Sequence, residues 1–134
     1  MNRVKRIILA AALLVAAAIP AAAQDAPPAG AFRAVHLANL TPQQVEVLQA
    51  WMADMNAAID KTGHKGVRYR LYKVIGKQAG PYEYMWESVW PSGEVYRKIH
   101  DDPTWRAVGA KHPSVNALLD NEVYNRYIEI TGKR

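Results

Sequence analysis

The chain of 134 residues contains no cysteine. This excludes disulfide bonds, thiolate metal sites, c-type haem attachment, lipid anchors on cysteine and a cysteine nucleophile. A domain without such cross-links must be stabilised by its hydrophobic core alone. The roughly 110 residues that follow the N-terminal segment described below suffice for one domain with a modest core.

Several familiar functional patterns are missing as well. The sequence has no glycine-rich phosphate loop, no Gly-x-Ser-x-Gly step, no carboxylate pair at a recognisable spacing and no two histidines with chelating spacing on one helix. Lysine and arginine are scattered among the acids without a block of like charge. A nucleic-acid partner is therefore not expected.

The longest apolar run is too short for a membrane-spanning helix. Residues 7–19 are apolar, follow a basic stretch with Arg3, Lys5 and Arg6, and precede three alanines that suit a cleavage site. About thirteen residues fall short of the ~20 that a spanning helix needs, so a signal peptide over residues 1–23 is favoured over a membrane anchor. Cleavage predicts a periplasmic or secreted protein and lowers the net charge from +5 to +2.

After a flexible leader at residues 24–32, the pattern predicts the element order β-α-β-β-α-β. The elements are listed here by their predicted bounds: a strand at 33–40, a helix at 42–62, strands at 67–75 and 82–90, a second helix broken into pieces, and a closing strand at 122–130. This order predicts an α+β fold, ferredoxin-like, with a four-stranded antiparallel sheet and its helices on one face.

The stretch "KIHDDPTWRAV", at 98–108, combines a histidine, two acids, a proline and a tryptophan. Asp102 followed by Pro103 is typical of an N-cap and the first helical position. Ser92 and Pro113 give similar start signals before and after it. The stretch is therefore interpreted as a break between helix pieces rather than as a catalytic cluster.

The hairpin strands carry two different faces. One set of alternating positions is rich in aromatic residues and is expected to pack under the helices. The other set mixes charged and apolar residues; if Ile75 opposes Tyr82, then Arg70 opposes Glu87 and Tyr72 opposes Met85. Such a mixed face suits coverage by a second copy, so a homodimer is expected through it. The alternative is a monomer whose outer face is partly polar and solvated.

Two short motifs carry a resemblance to a known superfamily. The element order, "YMWES" at 84–88 and "DPTW" at 102–105 resemble the dimeric α+β barrel superfamily, in its antibiotic-biosynthesis-monooxygenase and NIPSNAP-like branches, over residues 33–131. The resemblance implies a dimeric α+β barrel domain at 33–134, in which two protomers join their sheets and each keeps a pocket between sheet and helices. Members include cofactor-independent monooxygenases, haem-degrading oxygenases, cyclases and isomerases, so the resemblance fixes a shape rather than a reaction.

The resemblance also points to candidate site residues. His36 resembles a pocket histidine on the first strand of some members, which implies acid–base catalysis; the alternative is a strand histidine bonded to a neighbour. The expected substrate-binding residues are Tyr69, Tyr84, Trp86, Trp105 and His100. The alternative for the aromatic members of this set is that they form the hydrophobic core, because a small domain needs such bulk.

Two of these positions bear on particular branches of the superfamily. His100 lies where haem-degrading relatives carry an axial ligand, although a histidine at a helix end also interacts favourably with the helix dipole. Trp105 stands where cyclases carry a catalytic histidine, which argues against cyclase chemistry. No metal and no cofactor are expected, and haem is the least favoured possibility.

The resulting functional hypothesis is an exported small-molecule-pocket protein, a cofactor-independent monooxygenase-like enzyme acting on small aromatic or ketide compounds. The alternative is a non-enzymatic periplasmic ligand-binding or stress-type dimer. The expected partners are a second copy of the chain and a small hydrophobic or aromatic ligand, with no stable membrane anchor after signal cleavage.

Overall fold

The computed structural model describes residues 26–76, 80–119 and 123–131. The predicted signal peptide lies outside the described residues. The elements in chain order are β1 (Phe32–Ala38), α1 (Pro42–Lys61), β2 (Tyr69–Lys73), β3 (Tyr84–Trp90), α2 (Gly93–Asp101), α3 (Pro103–Lys111), α4 (Pro113–Leu119) and β4 (Val123–Tyr127).

The four strands form one antiparallel sheet in the order β2-β3-β1-β4. The helices pack on one face of it, and the second helix of the pattern is split into α2, α3 and α4. The predicted ferredoxin-like α+β fold is therefore confirmed.

The closing strand is shorter than predicted. It ends at Tyr127, whereas Ile128 and Ile130 are exposed and lie outside the strand. β4 pairs only with β1, and β1 begins at Phe32. Glu129 and Ile130 therefore extend past the end of their only partner strand.

Helix α1 begins where the sequence predicted. Thr41 is the N-cap and Pro42 is the first helical residue. The Thr41 hydroxyl accepts from the Gln44 backbone N–H at 3.2 Å, while the Gln44 side chain accepts from the Thr41 N–H at 2.8 Å. This reciprocal pair satisfies two backbone donors that would otherwise lack partners.

Replacing Thr41 with alanine should lower the free energy of unfolding by about 1 kcal/mol, because one half of the capping box is lost. Urea denaturation measures the change. Thr104→Ala is the control, since Thr104 is an exposed threonine inside α3; it should change stability by less than about 0.5 kcal/mol. Equal effects of the two substitutions would contradict the capping role.

The helix breaks also follow the sequence. The Ser92 hydroxyl accepts from the Val95 N–H at 3.2 Å, and the Asp102 carboxylate accepts from the Thr104 N–H at 2.8 Å. His112 lies at the C-cap of α3, with Nε2 2.7 Å from Oδ2 of Asp54 on α1. This contact ties the end of α3 to α1 across the helical layer.

The predicted helix-facing set contributes to the core except near the hairpin turn, where Lys73 and Ile75 are exposed because no helix covers them. Trp86 and Trp90 are completely buried on this side of β3. Trp86 belongs to a cluster with α1, whereas Trp90 belongs to a second cluster with Phe32 and Ile99. Between these two clusters the sheet and the helices do not close completely, which leaves the cavity described below.

Pro27 and Pro28 lie over the start of α2. A Cβ atom on Gly93 would collide with the backbone oxygens of Pro27 and Pro28. Glycine at the first position of α2 therefore allows the chain before β1 to cross directly over this helix end.

The outer face of the sheet has the register that the sequence analysis assumed: Arg70 opposes Glu87, and Tyr72 opposes Met85. Glu87 is only 6% exposed even in a single chain. The Tyr72 hydroxyl donates to its Oε1 at 3.0 Å, and Nη1 of Arg33 lies 3.1 Å from Oε2. The Arg33 contact lacks hydrogen-bond alignment, so the buried Oε2 has no hydrogen-bond donor in the part of the chain that the structure describes.

Candidate ligand-binding site

A cavity of about 460 Å³ lies between the sheet and the helices. Every element of the fold contributes to its wall. The lining residues are Ala34, His36, Trp51, Tyr69, Ser88, Trp90, Tyr96, His100, Trp105, Asn116, Leu119 and Tyr124. Its volume lies within the range of small-molecule sites, and its mostly aromatic wall with a few polar groups is typical of them.

Four of the six predicted site residues line this cavity: His36, Tyr69, His100 and Trp105. The other two do not reach the wall. Trp86 is fully buried beneath the cavity, and Tyr84 lies at the start of β3, opposite Ala38 and Lys73.

His36 sits in the middle of β1, between Trp86 on β3 and Tyr124 on β4. Its ring stacks on Trp86 with centroids 5.0 Å apart and an interplanar angle of 7°. The Tyr124 ring is tilted against it at 4.6 Å. The two neighbouring rings therefore fix the plane of the imidazole, whose edge borders the cavity.

His100 lies on α2 among three aromatic rings. Its ring centroid is 3.7 Å from that of Tyr96, 4.1 Å from that of Trp105 and 5.2 Å from that of Trp90. Nδ1 lies 2.8 Å from the Tyr96 carbonyl oxygen, one helical turn earlier. Burial lowers the pKa of His100 to about 4, against the opposing effects of the Tyr96 carbonyl and of Asp101. The imidazole is therefore neutral at pH 7.

A small polar network lies in the wall near Trp90. The indole Nε1–H of Trp90 donates to the Ser88 hydroxyl at 2.7 Å, and Tyr69 is paired with Ser88 across the two strands. Burial, followed by the neighbouring Tyr96 and Tyr124, raises the pKa of Tyr69 well above its ordinary value. This phenol stays protonated across the physiological range.

Arg126 lies behind Tyr124 rather than in the lining. Its Nε–H donates to the Tyr124 hydroxyl at 2.7 Å, and its guanidinium carbon is 5.5 Å from the ring centroid of Tyr96 and 5.8 Å from that of Phe32. These contacts place a cation against the aromatic wall. None of the described lining residues is an aspartate, a glutamate, a lysine or an arginine.

Sequence reasoning missed Ser88, Tyr96, Asn116 and Tyr124 as site residues. Tyr96 could have been found, because it precedes His100 by four residues and such pairs share a helix face. Asn116 and Tyr124 gave no comparable signal, since their positions in the wall depend on how α4 and β4 pack.

Within the described ranges, no group of three or more histidine, aspartate or glutamate side chains is arranged to hold a metal ion. No helix in the described part of the chain is both long enough and apolar enough to cross a bilayer.

No protein-family model matches the chain, and no curated protein matches its sequence. Several solved structures match its fold. A dimeric ferredoxin-like protein from Thermobifida fusca YX has a TM-score of 0.52 at 22% identity, covering 75% of this chain and 92% of its own.

A candidate antibiotic biosynthesis monooxygenase from Caulobacter crescentus CB15 has a TM-score of 0.52 at 16% identity, over 76% of this chain and 92% of its own. Hydroxynitrile lyase from Passiflora edulis has a TM-score of 0.52 at 12% identity, over 80% and 100% of the two chains. At these identities the likeness concerns the fold alone, because one fold hosts many activities. The chain has the ferredoxin-like fold of these proteins, and the resemblance to the dimeric α+β barrel superfamily is confirmed at the level of that fold.

Proposed function

We propose that this protein binds a small aromatic or ketide compound in the cavity between its sheet and its helices. The observation that carries the proposal is the wall itself, where tryptophan and tyrosine rings from six elements surround about 460 Å³ and uncharged polar groups interrupt them. Flat apolar ligands gain from such rings through burial and stacking, while the polar groups orient them.

We propose further that two copies pair through the outer faces of their sheets. The similar protein from Thermobifida fusca is dimeric, which supports this proposal. The described outer face supports this. Tyr72 and Tyr127 are 39% and 50% exposed there, and the buried Glu87 has an oxygen without a donor. A second sheet would cover the tyrosines and could supply the donor that Glu87 lacks.

The reaction proposed for the cavity is a cofactor-independent oxygenation. The Caulobacter crescentus relative is described as a candidate monooxygenase. His36 removes the proton of a phenol or of an activated methylene, and the resulting carbanion attacks molecular oxygen. The ring carbon becomes a carbonyl, and the second oxygen atom leaves as water. The substrate supplies all four electrons, so the scheme needs no resident cofactor and no haem.

Replacing His36 with alanine should reduce turnover about 100-fold, because a positioned general base typically contributes that much or more. Oxygen consumption with a panel of electron-rich phenols measures the effect, and near-ultraviolet circular dichroism checks folding. His64→Ala is the matched control, since His64 lies in the loop between α1 and β2 and outside the lining. Unchanged turnover in a folded His36→Ala protein would remove His36 from the mechanism.

A non-enzymatic ligand-binding dimer is the second candidate. The flush stacking of His36 on Trp86 favours it, because such packing also suits a structural histidine. Ligand binding without oxygen consumption across the panel would support this reading. For either function, we propose export to the periplasm or medium on the basis of residues 1–23.

A further inference from the structure

The neutral imidazole of His100 carries one N–H hydrogen, and the structure shows which of the two ring nitrogens holds it. Nδ1 lies 2.8 Å from the Tyr96 carbonyl oxygen, which can only accept a hydrogen bond. Nδ1 therefore carries the hydrogen, and Nε2 of the neutral ring carries a lone pair.

The Nε2 lone pair has no hydrogen-bond partner within residues 26–76, 80–119 and 123–131. No hydrogen-bond donor among the described residues contacts Nε2, whereas the ring itself borders the cavity. A ligand that fills the cavity removes water from this acceptor. An occupant without a hydrogen-bond donor leaves the acceptor unsatisfied, which disfavours its binding.

The surroundings of His100 keep its imidazole neutral, so Nε2 remains a hydrogen-bond acceptor. Tyr96 and Trp105 lie against the ring at 3.7 and 4.1 Å between centroids, and their bulk shields much of the imidazole from water. Burial has the largest effect on the pKa of His100 and lowers it. Of the two charged groups that act on the ring, Asp101 raises this pKa and Arg126 lowers it. A positive imidazolium that could pair with a carboxylate ligand is therefore absent at neutral pH.

We propose that His100 is a specificity-determining residue, which selects neutral aromatic ligands bearing a hydroxyl or N–H donor over ligands with a blocked donor or a carboxylate. The described lining contains no aspartate, glutamate, lysine or arginine. A carboxylate entering this wall would lose its hydration and meet the lone pair of Nε2. This inference rests on the proposed binding of aromatic compounds in the same cavity.

Three matched probes test the selection by isothermal titration calorimetry at pH 7: 2-naphthol, 2-methoxynaphthalene and 2-naphthoate. The wild-type protein should bind 2-naphthol about tenfold more tightly than 2-methoxynaphthalene, the factor expected of one hydrogen bond to a neutral acceptor. It should bind 2-naphthoate more weakly than either. His100→Phe keeps an aromatic ring without the acceptor, so it should bind the two neutral probes equally.

The pH dependence gives a test that needs no variant. Below about pH 4, His100 becomes protonated and cannot accept, so the preference for 2-naphthol should disappear while 2-methoxynaphthalene binding persists. Equal binding of the two neutral probes by the wild type, or a preference that survives in His100→Phe, would overturn the role of His100 and leave the aromatic site intact. Tighter binding of 2-naphthoate would also overturn it. Failure of all three probes to bind would instead overturn the proposed function, and this inference with it.

Discussion

Through the titration of His100, the free energy of unfolding of the wild-type protein should fall by about 3 kcal/mol between pH 7 and pH 4. Replacing His100 with phenylalanine should abolish this loss. The ordinary pKa of a histidine is about 6.5 in an unfolded chain, and burial lowers that of His100 to about 4 in the folded protein. The unfolded chain therefore binds a proton first as the pH falls below about 6.5. The loss of stability grows through this window and levels off once the folded protein is protonated as well.

Urea denaturation at fixed protein concentration, in steps between pH 7 and pH 4, measures this loss. Other groups titrate in the same range, so the relevant quantity is the difference in slope between wild type and variant. His100→Gln is the matched control, because it also removes the titrating group but fills the site differently. In both variants the free energy of unfolding should fall less steeply with decreasing pH than in the wild type, even if their stabilities at pH 7 differ. A wild-type slope in both variants would show that His100 does not titrate in this way.

The fold could be predicted from the sequence because its signals are local. Thr41 with Pro42, and Asp102 with Pro103, mark helix starts through side chains that reach only two or three residues. The alternation in the hairpin predicted its two faces. The pairing of Arg70 with Glu87 depended on an assumed register, which the structure has, because alternation excludes a slip of one residue but not a slip of two.

The site was predicted less completely. Alternation shows on which face of a strand a residue lies, but not whether it lines a cavity or is covered by a helix. Trp86 and Trp90 share one face of β3, yet α1 covers Trp86 whereas Trp90 borders the cavity. Asn116 on α4 and Tyr124 on β4 reach the same wall as His36, although both are far from His36 in sequence. The contact between His112 and Asp54 joins residues 58 positions apart, and no local pattern could indicate it.

Replacing Met85 with lysine should dissociate the proposed dimer, weakening it more than 1,000-fold. Met85 lies on the outer face of β3, paired with Leu37 on one side and Tyr72 on the other, at the centre of the surface that two copies would share. In a symmetric interface the substitution introduces two charges. Each unpaired charge that loses its hydration costs several kcal/mol, and about 4 kcal/mol in total corresponds to the stated factor.

Sedimentation equilibrium of the mature protein measures the dissociation constant of each variant. Ala50→Lys is the matched control, because it adds the same charge on an exposed position of α1, away from the sheet; it should leave the dimer unchanged. Met85 is partly exposed in a single chain, so the variant should remain folded as a monomer, with its helix-side core and cavity intact. A Met85→Lys protein that dimerises like the wild type would show that the two sheets do not face each other, and the buried Glu87 would then require another explanation.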